Sequence, residues 1–315
     1  MGDLLVLGED EVRQLLPADR LDGLAEAVGR ALVSLSEGAA SVPPRIAART
    51  ATGLLGAMPG YVAGAGLAAK LVSVYPGNPG QGKPAHQALI AVFDEADGTP
   101  RAVMGATYIT AMRTAVTSIL AAKALARPGA RHVAIVGSGV QASAHLEAAI
   151  GLIDVAEFRI AARDRSRAEL VAARDRRAAV AASAREAVED ADIVFCCTDA
   201  REPILESGWI GPGVHVGSIG TGAELPADLL RRARIFVESL EATGPPPAGA
   251  VELQSTEPDA LTELGSVLSG RHKGRTGPEE ITVFKSTGHA VEDIAAAALV
   301  LEAAVAGGIG TRVQF

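Results

Sequence analysis

Residues 131–146 read RHVAIVGSGVQASAHL. The apolar run 133–136 has the character of a short buried strand, and an Ala-rich helical pattern follows the glycines. Between them lies Gly137-Ser138-Gly139-Val140-Gln141-Ala142. This is G-x-G-x-x-A set between strand and helix, the context that separates a dinucleotide fingerprint from a chance match. Gly137 permits the tight turn, Gly139 lets the backbone approach a pyrophosphate, and Ala142 is small enough for helix to pack on strand. The N–H groups that open the helix then face the phosphates. The competing reading is a Gly-rich turn without a ligand, and the flanking strand and helix weigh against it.

Outward from this loop, residues 131–285 alternate strand and helix. Residues 158–162 are the second strand, 166–177 a charged helix, 179–181 a short strand and 183–189 a short helix. Residues 193–197 form a third buried strand, with 214–219 and 235–237 further ones. Such alternation implies a parallel, doubly wound sheet. Residues 1–130 read differently, as α+β. Leu21, Leu24, Val28 and Leu32 give 19–37 helical spacing, with Gly38 as a stop. Val42-Pro43-Pro44-Arg45 breaks that pattern. Residues 46–55, 67–75 and 88–93 are strand-like, with turns at Met58-Pro59-Gly60, Pro76-Gly77-Asn78-Pro79-Gly80 and Asp97-Gly98. A long helical pattern over 107–125 leads to Arg127-Pro128-Gly129, a helix stop and linker. At the other end, 281–285 is strand-like and 289–306 an Ala-rich helix, of the kind that packs back on the first domain and makes it discontinuous.

With 315 residues the chain is long enough for two domains. Aromatics are only 3% of a composition that is 48% hydrophobic, so Ala, Val, Leu and Ile must fill the core. A net charge of −8 argues against a nucleic-acid partner. No apolar run approaches the ~18 residues of a membrane span, and the acidic start MGDLLVLGEDEV lacks the basic region of a secretory signal. Cys196 and Cys197 are adjacent in an apolar run, where strand neighbours point to opposite faces. A disulfide between them is not expected, and two buried thiols suit a reducing cytoplasm.

Three basic residues stand in apolar surroundings where an unpaired charge is expensive: Arg45 after two prolines, Lys70 in GLAAKLVSVYP and Arg113 in YITAMRTAVTSIL. They either converge on an anion such as a carboxylate, or they snorkel or form internal ion pairs. His86, in KPAHQAL, is either a proton relay near a pocket or a surface histidine. The remaining histidines show no metal spacing, so no metal is expected. No G-x-S-x-G or Cys/His nucleophile pattern is present.

The stretches VPPRIA, MPGY, LAAKLVSVYPGNP, the long HQALIAVFDEADGTPRAVMGATYITAMRTAVTSILAAKALARP, VAIVGSGVQA, ADIVFCCTDAREPIL, GPGVHVGSIG and ITVFKSTGHAVEDIAAA run in order over almost the whole chain. In these the chain resembles the ornithine cyclodeaminase/mu-crystallin family. The resemblance implies a Rossmann-type doubly wound α/β domain over 129–287. It also implies a discontinuous α+β substrate-binding and dimerisation domain from 1–128 and 288–315. A homodimer and amino-acid or imino-acid chemistry driven by a bound nicotinamide cofactor are further implications. By position, Arg45, Lys70 and Arg113 match residues that hold the substrate carboxylate, with Thr287 closing the same site. Gly137, Gly139, Val140, Gln141 and Ala142 match the pyrophosphate loop. Thr198, Ser218, Ile219 and Ser286 match further cofactor contacts.

One departure decides among activities. Ornithine cyclodeaminases carry an acidic residue in a G-x-D stretch after this segment, assigned acid/base work on the substrate amine. Here the sequence is Ile219-Gly220-Thr221-Gly222-Ala223-Glu224-Leu225, with glycine at the acidic position and a shortened insert. Imine-reducing relatives also lack that carboxylate. The expected activity is therefore NAD(P)H-dependent reduction of the C=N bond of a cyclic or open-chain α-imino acid, with Lys70, or a water it orders, as proton source. The alternatives are ornithine cyclodeaminase with Glu224 substituting, an amino-acid or opine dehydrogenase, and a non-catalytic NADPH-dependent binder.

For the cofactor, an Asp or Glu about 20 residues past the glycine loop marks NAD preference. Here that count reaches Ala161-Ala162, followed by Arg163, Asp164, Arg165 and Arg167. Guanidinium groups suit a 2′-phosphate. NADP(H) is therefore expected over NAD(H), with Arg163 as main contact and Asp164 the residue that argues the other way.

Overall fold

The computed structural model describes residues 3–314, apart from the side chain of Pro79. In chain order the elements begin β1 (Asp3–Leu7), α1 (Glu9–Leu15), α2 (Asp22–Ser36), β2 (Ala40–Ser41), β3 (Ile46–Arg49), β4 (Leu54–Val62), β5 (Gly66–Val74), β6 (His86–Phe93), β7 (Pro100–Gly105) and α3 (Thr107–Leu125). They continue β8 (His132–Val136), α4 (Val140–Leu152), β9 (Glu157–Ala161), α5 (Arg165–Ala172), β10 (Ala178–Val180), α6 (Ala184–Val188), β11 (Ile193–Cys196), β12 (His215–Ile219), α7 (Ala227–Arg232) and β13 (Arg234–Val237). Last come β14 (Leu261–Glu263), α8 (Leu264–Leu268), β15 (Thr282–Ser286), α9 (Ala290–Gly307) and β16 (Thr311–Gln314). Two compact units result, one from residues 1–113 and 289–315 and the other from 114–288. The division falls inside α3.

The first unit is a mixed sheet in the order β16-β1-β7-β6-β5-β4-β2, with β3 also on β4. Its inward face follows from strand periodicity. Along β5, Ala68, Lys70 and Val72 point one way and are buried, whereas Leu71 points the other way. Helix α9 packs on the buried face of β4 and β5, beside α2. Gly60 makes room for it, since a Cβ there would meet Ile294 Cδ1 at 3.0 Å and Val42 Cγ2 at 2.8 Å.

The second unit is a sheet in the order β10-β9-β8-β11-β12-β15-β13-β14, with every pairing parallel. The alternating pattern predicted such a sheet. Strands β11, β12 and β15 are buried along their whole length, as strands covered on both faces must be. The chain winds outward from β8 to β10, then restarts on the other side of β8 with β11. That reversal is the switch point where open α/β sheets bind ligands. Among the described residues no helix is long and apolar enough to cross a membrane.

The structure corrects two sequence expectations in the first unit. Met58-Pro59-Gly60 is not a turn but lies within β4. On its far side β4 pairs with β3 through residues 54–57 and with β2 through residues 61–62, so 58–60 fall between two short partners. Pro59, which has no N–H to give, fits that gap. The strand predicted over 46–55 is instead two strands. Thr50 accepts from the N–H of Gly53 at 3.0 Å and turns the chain between β3 and β4. Strands β1, β2, β7, β14 and β16 and helices α1, α7 and α8 were not foreseen.

Candidate functional site

In the second unit the parallel sheet gathers the sequence-predicted residues at one edge. Gly137–Ala142 follow β8, Arg163 follows β9, Thr198 follows β11, Ser218 and Ile219 end β12, and Ser286 ends β15. Gly137 has φ +138°, and a Cβ there would lie 2.4 Å from the carbonyl oxygen of Cys197. Only glycine lets the loops after β8 and β11 approach so closely. Gly139 stands before α4, and a Cβ on it would meet nothing within 4 Å. Val140 is 64% exposed at the start of α4, Gln141 is half-buried and Ala142 is fully buried against the sheet. Helix α4 is anchored from within: His145 shares hydrogen bonds with Ser118 Oγ at 2.9 Å and with the Gln141 carbonyl at 2.8 Å. Burial lowers the His145 pKa to about 4, so it stays neutral. An open glycine loop at a helix N-terminus, beside the switch point, fits a dinucleotide pyrophosphate.

After β9, Arg163 is exposed, with no ion pair among the described residues. Asp164 is engaged as the N-cap of α5. It accepts from Ser166 Oγ at 2.7 Å and from the Arg167 N–H at 3.2 Å. Arg165 pairs with Glu169 at 3.1 Å.

Beneath that edge lies a buried polar network. Glu224 is 1% exposed and accepts from the Thr198 N–H at 2.8 Å, Thr198 Oγ1 at 2.6 Å and Ser218 Oγ at 2.7 Å. Burial raises its carboxyl pKa against the pull of Lys285. Lys285 reaches Glu252 at 2.7 Å and Ser218 Oγ at 2.9 Å. Glu224 is thus committed inside the unit, not aimed outward as a base. At Gly222 a Cβ would lie 2.4 Å from the Ala200 carbonyl oxygen, so the loop as folded has no room for an acid there. At the end of β15, Glu238 accepts from Ser286 Oγ, from the Thr287 N–H at 3.2 Å and from the Gly288 N–H at 3.1 Å. Cys196 and Cys197 are buried free cysteines whose pKa values burial pushes well up, leaving no thiolate to attack.

The first unit holds a second buried cluster. Lys70 Nζ lies 2.6 Å from Asp293 Oδ2, and Arg113 Nε lies 2.9 Å from Asp293 Oδ1, with Arg113 also paired to Glu292. All four residues are at most 4% exposed. Burial lowers Lys70 to about 8; Asp293 opposes that, while Arg113 and Arg45 add to it. Burial pushes Asp293 up, but Arg113 and Lys70 outweigh it and hold the carboxyl below its usual value. Arg45, half-buried before β3, and Arg113 also help keep His289 neutral, its pKa lowered mainly by burial to about 4. His289 itself caps α9.

Within this unit the structure thus brings Arg45, Lys70 and Arg113 into one electrostatic neighbourhood, and two of them form the internal ion pairs that the sequence left as an alternative. Thr287 belongs to the second unit and is half-buried. His86 is exposed at the start of β6. Sequence reasoning missed Glu292, Asp293, Glu238, Glu252 and Lys285. A signal existed for the first two: adjacent acids in AVEDIAAAALVL, an otherwise apolar helix. Among the described residues no group of His, Cys, Asp and Glu could hold a metal ion.

Comparison with known proteins adds four likenesses. The profile of the ornithine cyclodeaminase/mu-crystallin family matches residues 7–308. Ketimine reductase mu-crystallin of Mus musculus is 40% identical over 258 residues, 79% of this chain and 80% of that one. The structure of Thermococcus litoralis Δ1-pyrroline-2-carboxylate reductase in complex with NADH and L-proline has a TM-score of 0.91 at 32% identity, covering 98% of this chain and 100% of the other. An archaeal alanine dehydrogenase dimer with bound NAD has a TM-score of 0.89 at 31% identity, covering all of both chains.

Proposed function

The chain belongs to the ornithine cyclodeaminase/mu-crystallin family, and within it we propose an NAD(P)H-dependent oxidoreductase that reduces the C=N bond of a cyclic or open-chain α-imino acid. The observation that carries this reading is Lys70, a buried lysine with a pKa near 8 that shares a carboxylate with Arg113. A lysine so placed holds a proton at neutral pH and gives it up readily. Support also comes from the bound NADH and L-proline of the Thermococcus litoralis reductase.

A nicotinamide dinucleotide supplies a hydride, and the glycine loop, Thr198 and the ends of β12 and β15 are the residues that would hold it. In this reading Arg45 and Arg113 orient the substrate carboxylate. Lys70 Nζ holds the proton that the imine nitrogen would take up, and water would then reprotonate the lysine. Thr287 stands with the carboxylate-binding set. We assign substrate binding and dimerisation to 1–128 and 288–315 and the dinucleotide to 129–287. A homodimer is part of the proposal, supported by the archaeal dimer.

NADPH is proposed over NADH. Ala161 and Ala162 offer the ribose no carboxylate, Arg163 stands exposed, and Asp164 is already spent on its helix cap. Gly222 and the inward commitment of Glu224 disfavour ornithine cyclodeamination, which needs a carboxylate near the amine. The full-length likeness to alanine dehydrogenase keeps reductive amination of a keto acid as the second reading.

The test is oxidation of NADPH with Δ1-pyrroline-2-carboxylate and Δ1-piperideine-2-carboxylate. Turnover of either supports imine reduction. Turnover of pyruvate with ammonia but of neither cyclic imine would move the reading to amino-acid dehydrogenation. Proline from ornithine without stoichiometric cofactor would restore cyclodeamination.

A further inference from the structure

We infer that Asp293 is a positioning residue for Lys70: from α9 its carboxylate bridges the ammonium and the Arg113 guanidinium, fixing Nζ in place and in its charged form. This role rests on the reading of Lys70 as proton donor.

The argument is one of charge and register. Lys70 sits on β5 between Met58 of β4 and Ile90 of β6, both buried and apolar. Neither neighbouring strand therefore offers its ammonium a polar partner at that register. The other charged groups that face it are cationic: Arg113 from α3 and Arg45 ahead of β3, both of which disfavour its protonation. His289 at the start of α9 is held neutral. Glu292 is turned to Arg113. Among the described residues Asp293 is the one carboxylate within ion-pair distance of Nζ, at 2.6 Å, and it is 1% exposed. A buried ammonium without that partner, beside two guanidinium groups, favours its neutral form. A neutral amine carries no proton to give to the imine. The same carboxylate holds Arg113 Nε at 2.9 Å, so one side chain sets the spacing of two cations that would otherwise repel.

The experiment is the pH profile of kcat/KM for cyclic-imine reduction by the full-length enzyme, from pH 6 to 10. The substrate's own titration is common to all variants. Wild type should lose activity above a limb near pH 8, where Lys70 deprotonates. D293N, which keeps the shape and removes the charge, should move that limb down by at least one pH unit and cut kcat/KM at pH 8 by about fivefold or more. E292Q, which leaves the Lys70 pair intact, should keep the wild-type limb. A folded D293N with its limb unmoved overturns the role of Asp293, as does an equal shift in E292Q. If D293N does not fold, D293E decides. A displaced carboxylate should lower kcat at least tenfold with KM for NADPH unchanged, and unchanged kcat overturns the proposal. K70Q separates the two layers, because wild-type turnover and limb in that variant would remove Lys70 as donor whatever Asp293 does.

Discussion

Each unit buries a cluster of charges, and the two are built differently. In the second unit Glu224 receives three hydrogen bonds from Thr198 and Ser218, and Lys285 is matched by Glu252. Neutral donors surround the carboxylate from fixed backbone and short side chains. In the first unit two cations, Lys70 and Arg113, share Asp293, with Arg45 adding to the positive field. The result is a lysine whose proton is held near neutrality and a carboxylate held firmly ionised. A cluster of short, saturated contacts stabilises loops, whereas one with excess like charge holds a group ready to exchange a proton. Both are expensive to bury, so their difference should be visible in which property each loses on mutation.

The largest expected effect tests the first cluster. K70Q should lower kcat for imine reduction by about 10²–10⁴-fold, the range of a lost general acid, with little loss of thermal stability because Asp293 keeps Arg113. Steady-state kinetics alongside a melting curve checks both halves. A large drop in Tm with modest kinetic loss would erase the contrast between the clusters.

E224A should do the reverse. Removing an acceptor from three buried donors, and a carboxylate from the neighbourhood of Lys285, costs about 3 kcal/mol of stability. Denaturant unfolding measures it, and kcat should fall less than in K70Q. A melting curve like wild type would show the network to be slack.

Within the second unit, R163A should raise KM for NADPH by about tenfold or more, a loss of roughly 1.5–3 kcal/mol for a charged hydrogen bond. KM for NADH and for the imine should hardly move. Equal loss with both cofactors would place Arg163 away from a 2′-phosphate.

The last effect, absent at neutral pH and growing only as pH falls, concerns the frame that carries the glycine loop. His145, with its pKa near 4, and His215, near 3, are buried and neutral. Unfolded, each would titrate at its ordinary value near 6.5, so below that pH the unfolded chain binds protons that the native chain refuses. Stability should therefore fall as pH drops below 6.5, by about 1.4 kcal/mol per pH unit for each histidine, and be unaffected by them above it. His289, also neutral with its pKa near 4, adds a third such contribution. Unfolding free energies at pH 5 to 7 check the slope, and H145Q should remove about a third of what the three histidines supply.

Local rules were legible in the chain itself. The strand–glycine–helix signature at 131–146 and the alternation after it determine a doubly wound parallel sheet, because turn geometry and residue periodicity are properties of neighbours in sequence. The same rules located α2 over its buried stripe of Leu24, Val28 and Leu32, and α3 over its full length. They also marked Arg45, Lys70 and Arg113 as charges out of place. They did not show what those charges touch. Asp293 meets Lys70 only because α9, from the far end of the chain, packs on the buried face of β5. Glu224 turns inward only because the loop after β12 places it under Thr198 and Ser218. Pro59 could sit inside a strand only because β2 and β3 leave a gap opposite it. In each case the deciding interaction joins residues remote in sequence, with an energy set by burial and register. Neither exists until the sheets have formed, so the tertiary structure alone decided which of the buried charges is held ready to give up a proton.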